Sequence, residues 1–67
     1  KWDIAYSYAA DYYAAHGDLQ PPATYRTADG FGLGDWVRRM RASRAEGDPK
    51  LTEDRIQRLD AIGMEWN

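Results

Sequence analysis

Apolar side chains recur at intervals of four, three and four positions near the start of the chain. The positions with this spacing are Trp2, Tyr6, Ala9 and Tyr13. At about 100° per residue they form one narrow stripe on a helix, flanked by Ala5 and Ala10, which is typical of packing against a core. Gly17 is suited to the left-handed residue that ends such a helix. The pattern predicts a first helix over residues 2–16.

Residues 18–32 lack this periodicity and are rich in Pro, Gly, Asp and Thr. Two consecutive prolines restrict the residues before them to extended conformations, and Asp29-Gly30 favours a turn. A connection of fifteen residues is unusual in a compact domain unless its own side chains attach it to the helices. We expect three side chains to make this attachment, namely Leu19, Tyr25 and Phe31.

Helical spacing returns after this connection. The apolar positions are Leu33, Trp36, Val37 and Met40. They predict a second helix over residues 33–45, which ends where Gly47 and Pro49 interrupt the pattern. Gly34 lies in the first turn, where glycine lowers helix propensity, so we expect another backbone to approach it closely.

The third helix has the clearest start signal. Thr52 is suited to cap the helix, and two acids follow it where the helix dipole favours negative charge. Gly63 is suited to end the helix, which predicts a helix over residues 53–62. We expect Met64 and Trp66 to fold back after it.

Together these elements predict an all-α fold, a small three-helix bundle with one long structured loop between helices 1 and 2. A chain of 67 residues holds a single domain, over residues 1–67. Domains of this size bury only about 60% of their unfolded surface, and nine aromatic rings supply the apolar area that this chain needs. Because Lys1 is not an initiator methionine, we expect the domain to be part of a longer protein.

Composition excludes several functional classes. The chain has no cysteine for disulfides or thiolate zinc sites, and no apolar run that suits a membrane span or signal peptide, so we expect a cytoplasmic protein. The single histidine, His16, lies at a helix end, where a structural role is commoner than catalysis. The glycine-rich run from Gly30 to Gly34 lacks the Lys-Ser/Thr ending of a phosphate-binding P-loop. We expect no enzymatic activity, no catalytic residues, no metal site and no cofactor.

The distribution of charge is more informative than its total of −2. Residues 38–44 contain four arginines and no acid, whereas the other sixty residues carry a net charge of −6. Guanidinium groups can bind two phosphate oxygens at once, which suits nucleic-acid binding. The candidate nucleic-acid contacts are Arg38, Arg39, Arg41 and Arg44. Candidate accessory contacts, which would stack on bases or extend the surface, are Tyr8, Tyr12 and Arg26.

The same arginines have a second interpretation, in which they form ion pairs with acids of the neighbouring helices. The acids considered for this pairing are Asp11, Asp54 and Asp60. Charge alone favours the two interpretations equally.

The order of these features resembles the helicase-associated domain family from Trp2 to Trp66. The most specific groups are His16-Gly17, Asp29-Gly30-x-x-Leu33-Gly34-x-Trp36 and Gly63-Met64-x-Trp66. The other matching positions are Trp2, Tyr6, Tyr13, Pro22, Tyr25, Val37, Arg41, Leu51, Thr52, Arg55, Leu59 and Ile62. Pro21 departs from the pattern, because the family usually has an aliphatic residue there.

The resemblance implies a short helical module, often present in tandem copies, behind the motor of bacterial superfamily-2 helicase-like proteins. Such a module is a non-catalytic accessory domain, and its parent is expected to be an ATP-dependent helicase. We expect weak, salt-sensitive contact with nucleic-acid phosphates, with DNA preferred to RNA. The alternative is a protein-interaction or spacer module that packs on the helicase motor or on sister repeats. We expect the isolated domain to be a monomer that does not enter a membrane.

Overall fold

A computed structural model describes residues 1–66 of the chain. They form three helices, α1 over Trp2–His16, α2 over Leu33–Glu46 and α3 over Glu53–Ala61. The prediction of an all-α three-helix fold is confirmed. α2 ends one residue later, and α3 one residue earlier, than the patterns indicate, because helix ends pass gradually into turns. Within these 66 residues no helix has the length and apolar character needed to cross a membrane.

The limits of the helices follow from local chemistry. Gly17 ends α1 with a φ of 79°, and Gly47 ends α2 with a φ of 72°; both values lie in the left-handed region that favours glycine. At the start of α3, the Thr52 hydroxyl accepts a hydrogen bond from the amide of Arg55 at 3.3 Å. This bond satisfies an N–H group that the helix itself cannot pair.

The core draws on the loops as well as on the helices. The largest fully buried side chains are Leu19, Leu33, Val37 and Leu59. Leu19 belongs to the connection between α1 and α2, and its backbone pairs with that of Met64 in a parallel bridge. Pro21, two residues later, is also buried, so its ring contributes apolar surface there. Because Met64 follows α3, the bridge ties the long loop to the end of the fold.

α1 does not bury the whole predicted stripe. Its buried residues are Ala5 and Ala9, whereas Trp2 and Tyr6 are half-buried. Tyr13, predicted to face the core, is 36% exposed. The small alanines allow α1 to lie close to the core, which leaves the large rings at the edges of the interface.

The long loop is attached to the helices as predicted. Tyr25 and Phe31 are half-buried against the core. The closest approach is at Gly34, where an added β-carbon would collide with the Pro22 carbonyl oxygen and lie 2.9 Å from the carbonyl carbon of Ala23. The predicted backbone approach to Gly34 is therefore confirmed, and only glycine leaves room for the loop to cross the first turn of α2.

Candidate nucleic-acid interface

Two exposed arginines of α2 share one carboxylate. Arg38 donates a hydrogen bond to Asp35 Oδ1 and forms an ion pair with it, while Arg39 Nε lies 3.0 Å from Asp35 Oδ2. The side chains of Arg38 and Arg39 nevertheless remain 64% and 63% exposed. Since each guanidinium group has five N–H donors, both retain donors that can reach a phosphate.

The shared carboxylate reduces the local positive charge. The hydrogen bond from Arg38, reinforced by the charges of both arginines, lowers the pKa of Asp35 below its ordinary value. The carboxylate is therefore ionised at neutral pH, and the three side chains together carry a charge of +1. A count over residues 38–44 omits this acid. Its spacing of three and four positions from the arginines is the sequence signal that predicts the pairing.

The alternative pairing with acids of the other helices does not occur in the part of the chain that the structure describes. The acids concerned are Asp11, Asp54 and Asp60, and none forms an ion pair with an arginine of α2. The physical reason is proximity: Asp35 lies within one turn on the same helix, so its pairing requires no long-range packing.

Arg41 and Arg44 lie against the segment that follows α3. Arg41 Nε donates a hydrogen bond of 2.7 Å to the carbonyl oxygen of Glu65. The guanidinium carbon of Arg44 lies 4.7 Å from the centre of a Trp66 ring, whose Nε1 donates a 2.6 Å hydrogen bond to Asp60. These two arginines hold the folded-back end of the chain, and Arg44 remains exposed while doing so.

Tyr8 joins α1 to the turn in the long loop. Its ring stacks on that of Phe31 with centroids 4.9 Å apart, and its hydroxyl donates a hydrogen bond to Asp29. That bond contributes most to raising the pKa of Tyr8, and it also contributes most to lowering the pKa of Asp29. Arg26 donates a 3.0 Å hydrogen bond to the carbonyl oxygen of Gly30 in the same turn. Two of the three accessory candidates therefore fasten this turn.

Tyr12 packs within the same region. Its ring lies 4.1 Å from His16 and meets Tyr25 edge-on at 5.1 Å. Burial contributes most to raising the pKa of the Tyr12 hydroxyl, and the negative charge of Asp18 contributes next. A cavity of about 250 Å³ lies between Tyr8 and Tyr12. Its lining includes the acids Asp11 and Asp29 and none of the four α2 arginines, so the two candidate groups do not form one surface there.

A second group of arginines, not predicted as site residues, lies on α3. The guanidinium carbons of Arg55 and Arg58 are 4.8 and 5.1 Å from the centre of a Trp2 ring. Arg58 also lies 4.5 Å from the ring of Tyr6 and forms an ion pair with Asp3 at 3.1 Å. The spacing of three positions places both arginines on one side of α3, but their aromatic partners are more than fifty residues away in sequence.

Comparison with known proteins identifies a family. A family model described as "Helicase associated domain" matches residues 1–67. No curated protein and no solved structure gives a significant match. The family match covers all three helices, the long loop and the segment after α3, and so includes each of the motif groups that carry the resemblance. The chain belongs to the helicase-associated domain family.

Proposed function

We propose that the chain is a non-catalytic accessory domain of a helicase-like protein that binds the phosphate backbone of nucleic acid through α2. Arg38 and Arg39 make the principal contacts, and Arg44 extends them. Arg41 acts from within the fold, where it holds the end of the chain. DNA is the preferred nucleic acid, and the ATP-dependent motor lies elsewhere in the parent protein.

The observation that carries the proposal is the pair of exposed guanidinium groups held side by side on Asp35. An arginine that is already oriented loses less rotamer freedom when it binds a phosphate. Contacts of this kind position a protein on the backbone without reading bases. The proposed domain therefore provides affinity and orientation for the motor, with little choice of sequence.

The test measures binding of fluorescein-labelled DNA to the 67-residue chain by fluorescence anisotropy at several salt concentrations. Replacing Arg38 and Arg39 together by glutamine should weaken binding about tenfold at low salt, since two exposed charge contacts are lost. On duplex DNA, the slope of the logarithm of the binding constant against the logarithm of the salt concentration should become less steep by about 1.8. Each lost phosphate contact accounts for about 0.9 of that change.

The control is Lys1→Gln, which removes a positive charge from an exposed position outside α2. It should reduce affinity far less than the double replacement. Binding that is insensitive to salt, or that survives loss of both arginines, would exclude phosphate contact by α2.

The second candidate function is a protein-interaction or spacer module. The cavity between Tyr8 and Tyr12, with Asp11 and Asp29 in its lining, supports it, because an acidic and aromatic surface suits a basic partner. The partner would be the helicase motor or a sister repeat. Absence of DNA binding at low salt, together with binding to the motor that Asp11→Asn weakens, would favour this function over the first.

A further inference from the structure

A groove of about 190 Å³ lies between α2, the turn before α3 and the start of α1. Its apolar lining comes from Trp2, Met40 and Leu51. Lys50 and Arg55 lie among its polar lining residues, and Lys50 is exposed. An apolar pocket with a few polar groups at its edge is the usual form of a small-ligand site.

The charge around the groove is mainly positive. Lys50 forms no ion pair with any residue of the described chain. Arg55 donates a 3.0 Å hydrogen bond to the Lys50 carbonyl oxygen, which fixes its guanidinium group over Trp2. The one acid in the lining, Asp48, accepts a hydrogen bond from the Lys50 amide at 2.9 Å and so belongs to the turn.

The groove also adjoins the proposed phosphate contacts. Ser43 lines it from α2, and Arg39 lies four positions earlier, which places the two residues on the same side of that helix. A strand of nucleic acid whose phosphates contact Arg39 and Lys50 would pass over the groove.

The indole of Trp2, which lines the groove, has a buried polar atom. Within residues 1–66, its Nε1 is buried and has no hydrogen-bond partner. Buried N–H groups are nearly always paired, because leaving one unpaired is costly. Because this atom is also closed to solvent, a ligand in the groove can pair with it only if the Trp2 side chain shifts on binding.

We propose that the groove binds one unstacked nucleobase of a single strand, a proposal that rests on the phosphate-binding function above. A nucleobase has apolar faces that suit Trp2, Met40 and Leu51. Its attached phosphates carry the charge that suits Lys50 and Arg39. Bases within a duplex are stacked and cannot enter, so the domain prefers a single strand to a duplex.

The test compares two single-stranded probes, a labelled thymidine oligonucleotide and an abasic oligonucleotide of the same length and charge. The 67-residue chain should bind the thymidine probe about fivefold or more tightly, since one base is buried only in that complex. Ser43→Trp fills the groove and should abolish the difference between the probes. Ala42→Trp places the same ring at the exposed neighbouring position and should preserve the difference.

The possible results separate the two proposals. Equal binding of both probes by the unmodified chain overturns base binding and leaves phosphate contact intact. No binding of either probe at low salt overturns both, and self-association that Ser43→Trp removes would then assign the groove to a second copy of the chain. If circular dichroism shows that Ser43→Trp does not fold, the amide shifts of Ser43 and Leu51 in the unmodified chain test base binding instead. They must move with the thymidine probe and not with the abasic one.

Discussion

At position 35 one carboxylate sets both the orientation and the strength of the proposed interface. Asp35 holds Arg38 and Arg39 side by side, and it also cancels part of the charge that would attract a phosphate. These two effects oppose each other. Since phosphate attraction is long-ranged and the arginines remain more than three-fifths exposed, we expect the charge effect to be the larger.

Replacing Asp35 by asparagine should therefore strengthen DNA binding. The expected gain is about two- to fivefold at low salt, the range that corresponds to one exposed ion pair. Anisotropy titrations of the variant and the unmodified chain at matched salt measure it. Weaker binding by Asp35→Asn would show that the carboxylate acts mainly by positioning the arginines.

Gly34 offers a second test, with a matched control two residues away at Gly32. A β-carbon at position 34 would collide with the Pro22 carbonyl oxygen, so Gly34→Ala should destabilise the fold by about 1–3 kcal/mol. At Gly32 a β-carbon would meet nothing within 4 Å, so Gly32→Ala should lose only the preference for glycine over alanine at the N-cap of α2, about 1 kcal/mol or less. Urea denaturation of both variants compares them. Equal stabilities would contradict the described crossing of the loop over α2.

At the scale of elements, the fold depends on a loop that is fastened at several points. Leu19 pairs with Met64, Gly34 admits the loop backbone, and Tyr8 reaches from α1 to Asp29 in the turn. The last of these attachments depends on pH. Hydrogen bonds from Tyr8 and then Thr27 favour the ionised carboxylate and lower the pKa of Asp29 in the folded state.

A lowered folded-state pKa gives the Tyr8–Asp29 attachment a definite pH dependence. It contributes stability above the unfolded pKa of Asp29, and that contribution is lost as the pH falls through the lower folded value. Tyr8→Phe removes the hydroxyl donor and should reduce the loss of stability on acidification. The measurement is the urea midpoint at neutral and acidic pH.

The pH comparison is best made in an Asp35→Asn background, because the pKa of Asp35 is lowered too and its own acid transition overlaps. If the loss of stability on acidification is the same with and without the Tyr8 hydroxyl, the Tyr8–Asp29 attachment is contradicted. Thr27, which donates to Asp29 at 2.8 Å, should leave a smaller residual effect in the variant.

At the scale of the whole molecule, features encoded within a few residues were predictable and long-range contacts were not. The helices follow from spacing and from caps such as Gly17 and Thr52, and Gly34 indicated its own close contact. The exposure of Tyr13 was not predictable, because alanines on the same helix determine how closely it packs. Likewise, Arg55 meets Trp2 only after the chain has folded.

The fold also separates the acidic and basic side chains that make up the total charge of −2. Aromatic and acidic side chains line the cavity at Tyr8 and Tyr12, whereas the exposed pair of Arg38 and Arg39 lies outside that lining. With a local charge of only +1 at the Asp35 cluster, we expect the proposed binding by one domain to be weak. Tandem copies would raise the effective affinity without new contacts, because each bound domain increases the local concentration of the next.

The most direct test of phosphate binding by α2 is a map of backbone amide shifts in the isotopically labelled chain during titration with a single-stranded thymidine oligonucleotide at low salt. Phosphate binding by α2 predicts shifts at Asp35, Arg38 and Arg39 that disappear as salt is raised. Shifts confined to the cavity at Tyr8 and Tyr12, or no shifts at low salt, would contradict it.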